Sequence, residues 1–268
     1  MSDPLNATLT AFERLDDRLA VLRVRPDRGE LGAFEPGQFV QLGLPMEPGS
    51  EPVGPASARP GRVRLHRRSY SIASAPTDRR EAEFYVARVP EGRFTPLLWQ
   101  LRPGDRVWMD PEPKGFFTLA RVPAVAELVL VATGTGLAPY VSMLRASPAS
   151  DRWARATVVH GVRRPTELGY RAELTDRAAR DPKVRYVPVV SRPEPADRWT
   201  GLTGRVQTTL VPERFRELAG SELDPRRVHV LLCGNPEMVR DVRALLEPRG
   251  FRLDRIEEPG SLHVETYW

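Results

Sequence analysis

Read for the spacing of its apolar and polar positions, the chain changes character near its middle. The first half holds short runs in which apolar and polar residues alternate: "RLAVLRVRP" (Arg18 to Pro26), "GQFVQLGLP" (Gly37 to Pro45), "GRVRLHRRSYSIAS" (Gly61 to Ser74), "AEFYVARVP" (Ala82 to Pro90) and "DRVWMDP" (Asp105 to Pro111). A period of two sends successive side chains to opposite faces of a strand, and "EPGQ", "PEGR" and "RPGDR" supply the turns. Several such strands at regular spacing predict a small antiparallel barrel or sandwich. Between Pro45 and Pro60 the chain is rich in Pro, Gly and Ser with little to bury, which predicts a flexible surface insertion.

From about Ala124 the period changes. "AELVLVATGTG" is a continuous apolar run, as a parallel strand buried on both faces requires. "LAPYVSMLRAS" then reads as a helix, "ATVVHGV" as a strand, "TELGYRAELTDRAAR" as an amphipathic helix and "VRYVPVV" as a strand. A helix near "RVQTTLVPERF", a strand at "HVLLCGN" and a helix at "PEMVRDVRALLEPRG" complete the series. Strands alternating with helices predict a parallel, helix-covered sheet. The expected organisation is an antiparallel β-barrel domain over residues 1–120 followed by an α/β domain with a parallel sheet over 121–268.

Composition narrows the chemistry. The single cysteine, Cys233, excludes an intramolecular disulfide and any four-cysteine iron–sulfur or zinc site within this chain, so no metal is expected. A reducing, cytoplasmic setting follows. The N-terminus lacks a basic start followed by an apolar core, and no apolar run approaches the roughly 18 residues of a membrane helix, so neither a signal peptide nor membrane insertion is expected. The net charge of +5 is carried almost wholly by arginine. It suits anionic ligands, an acidic protein partner or nucleic acid, and equally a merely solvated arginine-rich surface.

"VATGTGLAP" leaves the buried strand and enters a helix through Gly134 and Gly136. Glycine there lets backbone N–H groups approach a pyrophosphate at a helix N-terminus. The spacing is G-x-G-x-x-P, with Pro139 where the familiar dinucleotide fingerprint has a third glycine, and a ligand-free tight turn explains it nearly as well. The following strands sharpen the choice. "TVVHGVRRP" ends without a carboxylate and presents Arg163 and Arg164; "VVSRPE" brings Arg192, and "TGLTGRV" adds Arg205. Arginine forks match phosphate bidentately, so their convergence favours NADP(H) over NAD(H). In "LLCGNPEMV", Cys233, Gly234 and Asn235 close the last strand where an open α/β sheet binds ligands. A lone cysteine is more commonly a small buried hydrophobe, and the sequence does not bring His160 against it.

Taken in order, "RSYS", "GRFT", "GFF", "TGTGLAP", "VVSR", "LTGR", "CGNP" and a terminal aromatic pair resemble the ferredoxin–NADP+ reductases, in particular the short bacterial ferredoxin/flavodoxin–NADP+ reductases. The resemblance spans essentially the whole chain. It implies FAD and NADP(H) as cofactors, and a ferredoxin or flavodoxin as an acidic electron-carrier partner for a chain expected to act as a monomer. In "RSYS" (Arg68, Ser69, Tyr70, Ser71), Arg68 would pair with the FAD pyrophosphate, Tyr70 would pack on the isoalloxazine, and Ser71 would hydrogen-bond near flavin N5. Phe84, Tyr85 and Val86 would line the ribityl and adenosine side. Arg93, Phe94 and Thr95 would open a helix against the pyrophosphate. In the second domain Thr133, Gly134, Thr135, Gly136 and Pro139 would hold the NADP pyrophosphate. Ser191 sits in "VVSR", where Arg163, Arg192 and Arg205 would surround the 2′-phosphate. Cys233, with Gly234 and Asn235, would sit against the nicotinamide, and Glu265 would position it or relay a proton. Tyr267 and Trp268 would cover the flavin, although a chain end of this kind is more often frayed or docked in an apolar groove.

Two other readings stand beside this one. A flavin-dependent ferric or siderophore reductase shares the domain plan. An arginine-rich nucleic-acid-binding protein is the alternative from another class, but its basic residues are dispersed and no nucleic-acid motif is present.

Overall fold

The computed structural model describes residues 4–46, 64–124, 126–146 and 152–266. The chain divides into two compact units, Met1–Gly115 and Phe116–Trp268. The Pro-, Gly- and Ser-rich residues 47–60 lie outside the described residues, as do Tyr267 and Trp268.

The first unit is built from strands β1 (Ala7–Arg14), β2 (Leu19–Pro26), β3 (Phe39–Pro45), β4 (Leu65–Ser71), β5 (Ala82–Ala87) and β6 (Arg106–Met109), with one short helix, α1 (Thr95–Leu98). They form an antiparallel sheet in the order β4-β3-β6-β1-β2-β5. A bridge between Ile72 and Phe84 joins the two edge strands, so the sheet closes on itself. Closure removes the open edges that a sheet of short strands would expose. One side chain in two points inward, including Leu9, Leu22, Leu42, Phe84, Val86, Val107 and Met109. Each such residue contributes about 1.5–3 kcal/mol on full burial. Strand β1 was not among the alternating runs for a physical reason: its register slips between Leu9 and Ala11, and the bulge breaks the period of two.

The second unit contains β7 (Ala126–Thr133), α2 (Ala138–Ala146), β8 (Trp153–Val162), α3 (Arg171–Arg180), β9 (Val184–Val190), β10 (Leu202–Thr203), α4 (Pro212–Ala219), β11 (Val228–Gly234), α5 (Pro236–Leu246) and β12 (Leu262–Thr266). All six strands are parallel, in the order β10-β9-β8-β7-β11-β12. The strand order reverses between β7 and β11, and the carboxyl ends beside such a reversal are where open α/β sheets bind ligands. Val129, Val131, Val230 and Leu232 fill one face, against Phe215, Val239 and Val242.

Two expected helices are each broken. "TELGYRAELTDRAAR" is not one helix: Pro165–Glu167 form a single 3₁₀ turn, Tyr170 takes φ +59°, and α3 starts at Arg171. "RVQTTLVPERF" is likewise split, because Val211 is extended before Pro212 and separates a 3₁₀ turn from α4. One strand, at Leu262–Thr266, was not among the expected elements. Leu262–Thr266 pair with β11 as a sixth strand, and Glu265 lies opposite Cys233. That edge strand is tied down by its own polar network. His263 lies 3.0 Å from His229 and 3.5 Å from Asp254, whose carboxylate takes the Arg121 guanidinium at 2.6 Å. Burial lowers the His263 pKa to about 4, so the two rings meet as neutral donor and acceptor. Among the described residues no helix is long and apolar enough to cross a membrane.

Candidate functional site

In the first unit the site is laid out by β4. Its pairing sets His66, Arg68 and Tyr70 opposite Leu44, Leu42 and Val40, all on one face, while Arg67 and Ser69 lie opposite Gly43 and Gln41 on the other. Tyr70 packs its ring 5.9 Å from that of Phe94, tilted by 37°. Burial raises the Tyr70 pKa against the opposing effect of Arg68, so the phenol stays protonated. The His66 pKa is lowered by partial burial and then by the charges of Arg68 and Arg93, which marks a locally positive field. Arg68, Tyr70, Arg93 and Phe94 are thus brought together: two cations beside a half-buried aromatic platform. Ser71 is buried at the end of β4, opposite Phe39, and Ser69 is exposed.

Other members of the set are placed differently. Phe84 and Val86 point into the barrel core and are fully buried there, so their side chains cannot line a ligand on its outer surface. Tyr85 alternates to the opposite face. The Thr95 hydroxyl donates to the Val89 carbonyl at 3.0 Å and accepts from the Val89 N–H at 2.8 Å. It fastens the loop before α1 rather than offering an open anion contact.

In the second unit two turns meet at the switch point. Gly134 has φ +53°, a conformation costly for most L-residues, and a Cβ added there would meet open space. Gly136 is the reverse case: a Cβ there would fall well inside contact distance of the Cys233 carbonyl. Gly234, at φ +134°, packs equally closely on Thr133. The Asn235 N–H donates to Thr133 Oγ1 at 2.9 Å, and Asn235 Oδ1 caps α5 by accepting from Glu237 N–H at 2.8 Å. Thr133 to Gly136 and Cys233 to Asn235 therefore form one interlocked floor, with Pro139 buried behind it in α2. Cys233 is fully buried. Tyr140 donates to the Leu231 carbonyl at 2.7 Å; burial raises its pKa, and nearby Cys233 and Glu265 add to that shift.

At the next strand ends the arginines separate into two kinds. The Arg192 N–H donates to the Arg163 carbonyl, Ser191 bonds the Val162 carbonyl through both N–H and Oγ, and the Gly204 N–H reaches the Val190 carbonyl. These bonds bring the backbones of Arg163, Ser191, Arg192 and Arg205 to one edge. Arg164 pairs with Glu194 and with Asp197, the latter at 3.2 Å. The guanidinium groups of Arg163, Arg192 and Arg205 make no ion pair with any described residue.

The chain is similar to known proteins over its whole length. Residues 130–244 match the oxidoreductase NAD-binding domain model. The flavodoxin/ferredoxin–NADP reductase of Escherichia coli K12 is 33% identical over the full length of both chains. This chain belongs to the ferredoxin/flavodoxin–NADP reductase family. Within the family, ferredoxin–NADP reductase B of Sorangium cellulosum is 37% identical over 91% of each chain. A ferredoxin NADP+ reductase crystal structure from Neisseria gonorrhoeae, with bound FAD and NADP, superposes with a TM-score of 0.82 at 25% identity over 99% of each chain.

Sequence patterns alone missed several of these contacts. Arg67, without a role in the motif, stacks on the Trp108 ring at 3.9 Å, across the strand position that Gly43 leaves empty. His160 bonds the glycine turn, and no spacing rule links it to Gly134. The interlocked turns yield a direct test. Gly136→Ala forces the two backbones apart and is expected to destabilise the protein by about 1–3 kcal/mol, read as a lower urea midpoint with unchanged slope. An unchanged midpoint contradicts the close contact.

Proposed function

We propose that the chain is an FAD-dependent oxidoreductase that exchanges hydride with NADP(H) and single electrons with a ferredoxin or flavodoxin carrier. The observation that carries the choice of NADP(H) is the arginine edge. Three guanidinium groups without a described counter-ion share it, and neither β8 nor β9 ends in the carboxylate that would select a free ribose 2′-hydroxyl. A 2′-phosphate supplies the missing negative charge to Arg163, Arg192 and Arg205.

The residues of the first unit suit FAD. Arg68 and Arg93 offer cations to its pyrophosphate, Tyr70 offers the protonated ring on which a flat conjugated system stacks, Ser71 ends β4 and Tyr85 lies on β5. Bound FAD supplies the conversion between two-electron chemistry with a nicotinamide and one-electron chemistry with the carrier. The chain's own work is binding and orientation. Thr133 to Gly136 hold the nucleotide's pyrophosphate, and the Cys233 to Asn235 turn walls the nicotinamide. A fully buried Cys233 serves as a small apolar wall there, since reactive cysteines sit in partly exposed, electropositive places. Glu265, paired opposite Cys233, borders the nicotinamide end. Tyr267 and Trp268 are proposed to cover the flavin, whose flat face suits aromatic stacking.

The arginine-borne charge of +5 steers an acidic carrier, and a chain with one cysteine fits the reducing cytoplasm. The carrier's association rate is expected to fall steeply as salt rises; a rate flat in salt contradicts this steering. Arg192→Ala with Arg205→Ala is expected to raise the KM for NADPH at least tenfold, with little effect on NADH, since a charged hydrogen bond contributes about 1.5–3 kcal/mol. Arg164→Ala, already neutralised by Glu194 and Asp197, should leave that preference nearly intact. Equal losses for both nucleotides would remove the 2′-phosphate from this edge.

A further inference from the structure

His160 sits beneath the glycine turn with no exposed surface. Its Nε2 lies 3.2 Å from the Gly134 carbonyl oxygen and its Nδ1 lies 3.3 Å from the Tyr186 hydroxyl. A carbonyl only accepts, so Nε2 carries the proton, and Nδ1 accepts from the tyrosine. Both groups hold the protonation this needs. Burial lowers the His160 pKa to about 4 despite the bond to Gly134, and burial raises that of Tyr186. The ring is a neutral bridge with one fixed tautomer.

We infer that His160 is a positioning residue for the nucleotide: by holding the Gly134 carbonyl inward, it turns the Thr135 N–H outward to meet the pyrophosphate. The geometry follows from the peptide group itself. No cis peptide is present among the described residues, and in a trans peptide the carbonyl of one residue points opposite to the N–H of the next. The Gly134 carbonyl and the Thr135 N–H belong to one such plane. Gly134, at φ +53° and free of neighbours on its open side, has the conformational freedom to flip that plane. A flipped peptide would present an oxygen, rather than an N–H, to a dianionic ligand. The hydrogen bond from His160 opposes that flip, and Tyr186 fixes which ring nitrogen is available to donate. Tyr186 lies on β9, the strand whose end carries Ser191 and Arg192, so the bridge also ties the glycine turn to the strand that leads to the arginine edge.

This inference rests on the glycine turn being the pyrophosphate site, and the test separates the two. In the FAD-loaded full chain, dissociation constants for NADP+ and for adenosine 2′-phosphate, which lacks the pyrophosphate, are measured in four variants. His160→Leu removes the donor and is expected to weaken NADP+ roughly tenfold, while adenosine 2′-phosphate stays within about twofold, as loss of one hydrogen bond at an oriented site predicts. His160→Gln, whose amide reaches the same place as Nε2, is expected to recover most of that loss. Tyr186→Phe is expected to give an intermediate loss confined to NADP+, and it decides the matter if His160→Leu does not fold. NADP+ binding unchanged in His160→Leu and Tyr186→Phe overturns the inference, as does a parallel loss of both ligands. Gly134→Asp, tolerated at this φ but bearing a like charge, reports on the site itself. If it leaves NADP+ binding intact, the turn is not the pyrophosphate site and both readings fall.

Discussion

The second unit depends on a close approach that two glycines allow by carrying no side chain. Where β7 and β11 end, Gly136 lies against the Cys233 carbonyl and Gly234 lies against Thr133, so two turns share one space. Every neighbouring feature follows from that approach. Thr133 reaches the Asn235 N–H only because the turns touch, and Asn235 is thereby set to cap α5. The strand-order reversal supplies the crevice, and the missing β-carbons let backbone polar groups form its floor. Larger residues would fill the floor and separate the strands.

Electrostatics then sorts the surface around it. Many arginines of the chain are already spent on neighbouring carboxylates, as Arg145 is on Glu173 and Arg164 is on Glu194 and Asp197. Exposed pairs of this kind contribute little to stability, so their main consequence is local neutrality. Arg163, Arg192 and Arg205 gather at one strand edge and form no ion pair with any described residue. Arg68 and Arg93 play the corresponding part in the barrel, where their charges add to the lowering that burial imposes on the His66 pKa. Positive charge that no described residue pairs is charge available to a phosphate.

How far the sequence revealed this depends on whether a feature is local. Strands β7, β8, β9 and β11 announce themselves as apolar runs, and Gly134 and Gly136 lie where a strand gives way to a helix. The motif residues Arg68 and Tyr70 do share a face, as alternation requires. The same alternation turns Phe84 and Val86 into the barrel core, because β5 is adjacent to the seam that closes the sheet. Thr95 is drawn off by Val89, six residues earlier, a bond that composition cannot show. β1 hid behind its bulge, and β12 is five residues with a histidine and a glutamate, too short and polar to read as a strand before β11 is known to lie beside it. His160 is the clearest nonlocal case. Its partners, Gly134 and Tyr186, are each 26 residues away in opposite directions, and only the parallel sheet aligns them.

The function rests on one flow of electrons through a flavin. The most direct measurement is the visible spectrum of the purified chain during anaerobic titration with NADPH and, separately, with NADH. A flavin absorption band that bleaches with stoichiometric NADPH, and much less readily with NADH, is the predicted result. A colourless protein that retains no FAD, or a flavin bleached equally well by both nucleotides, would contradict it.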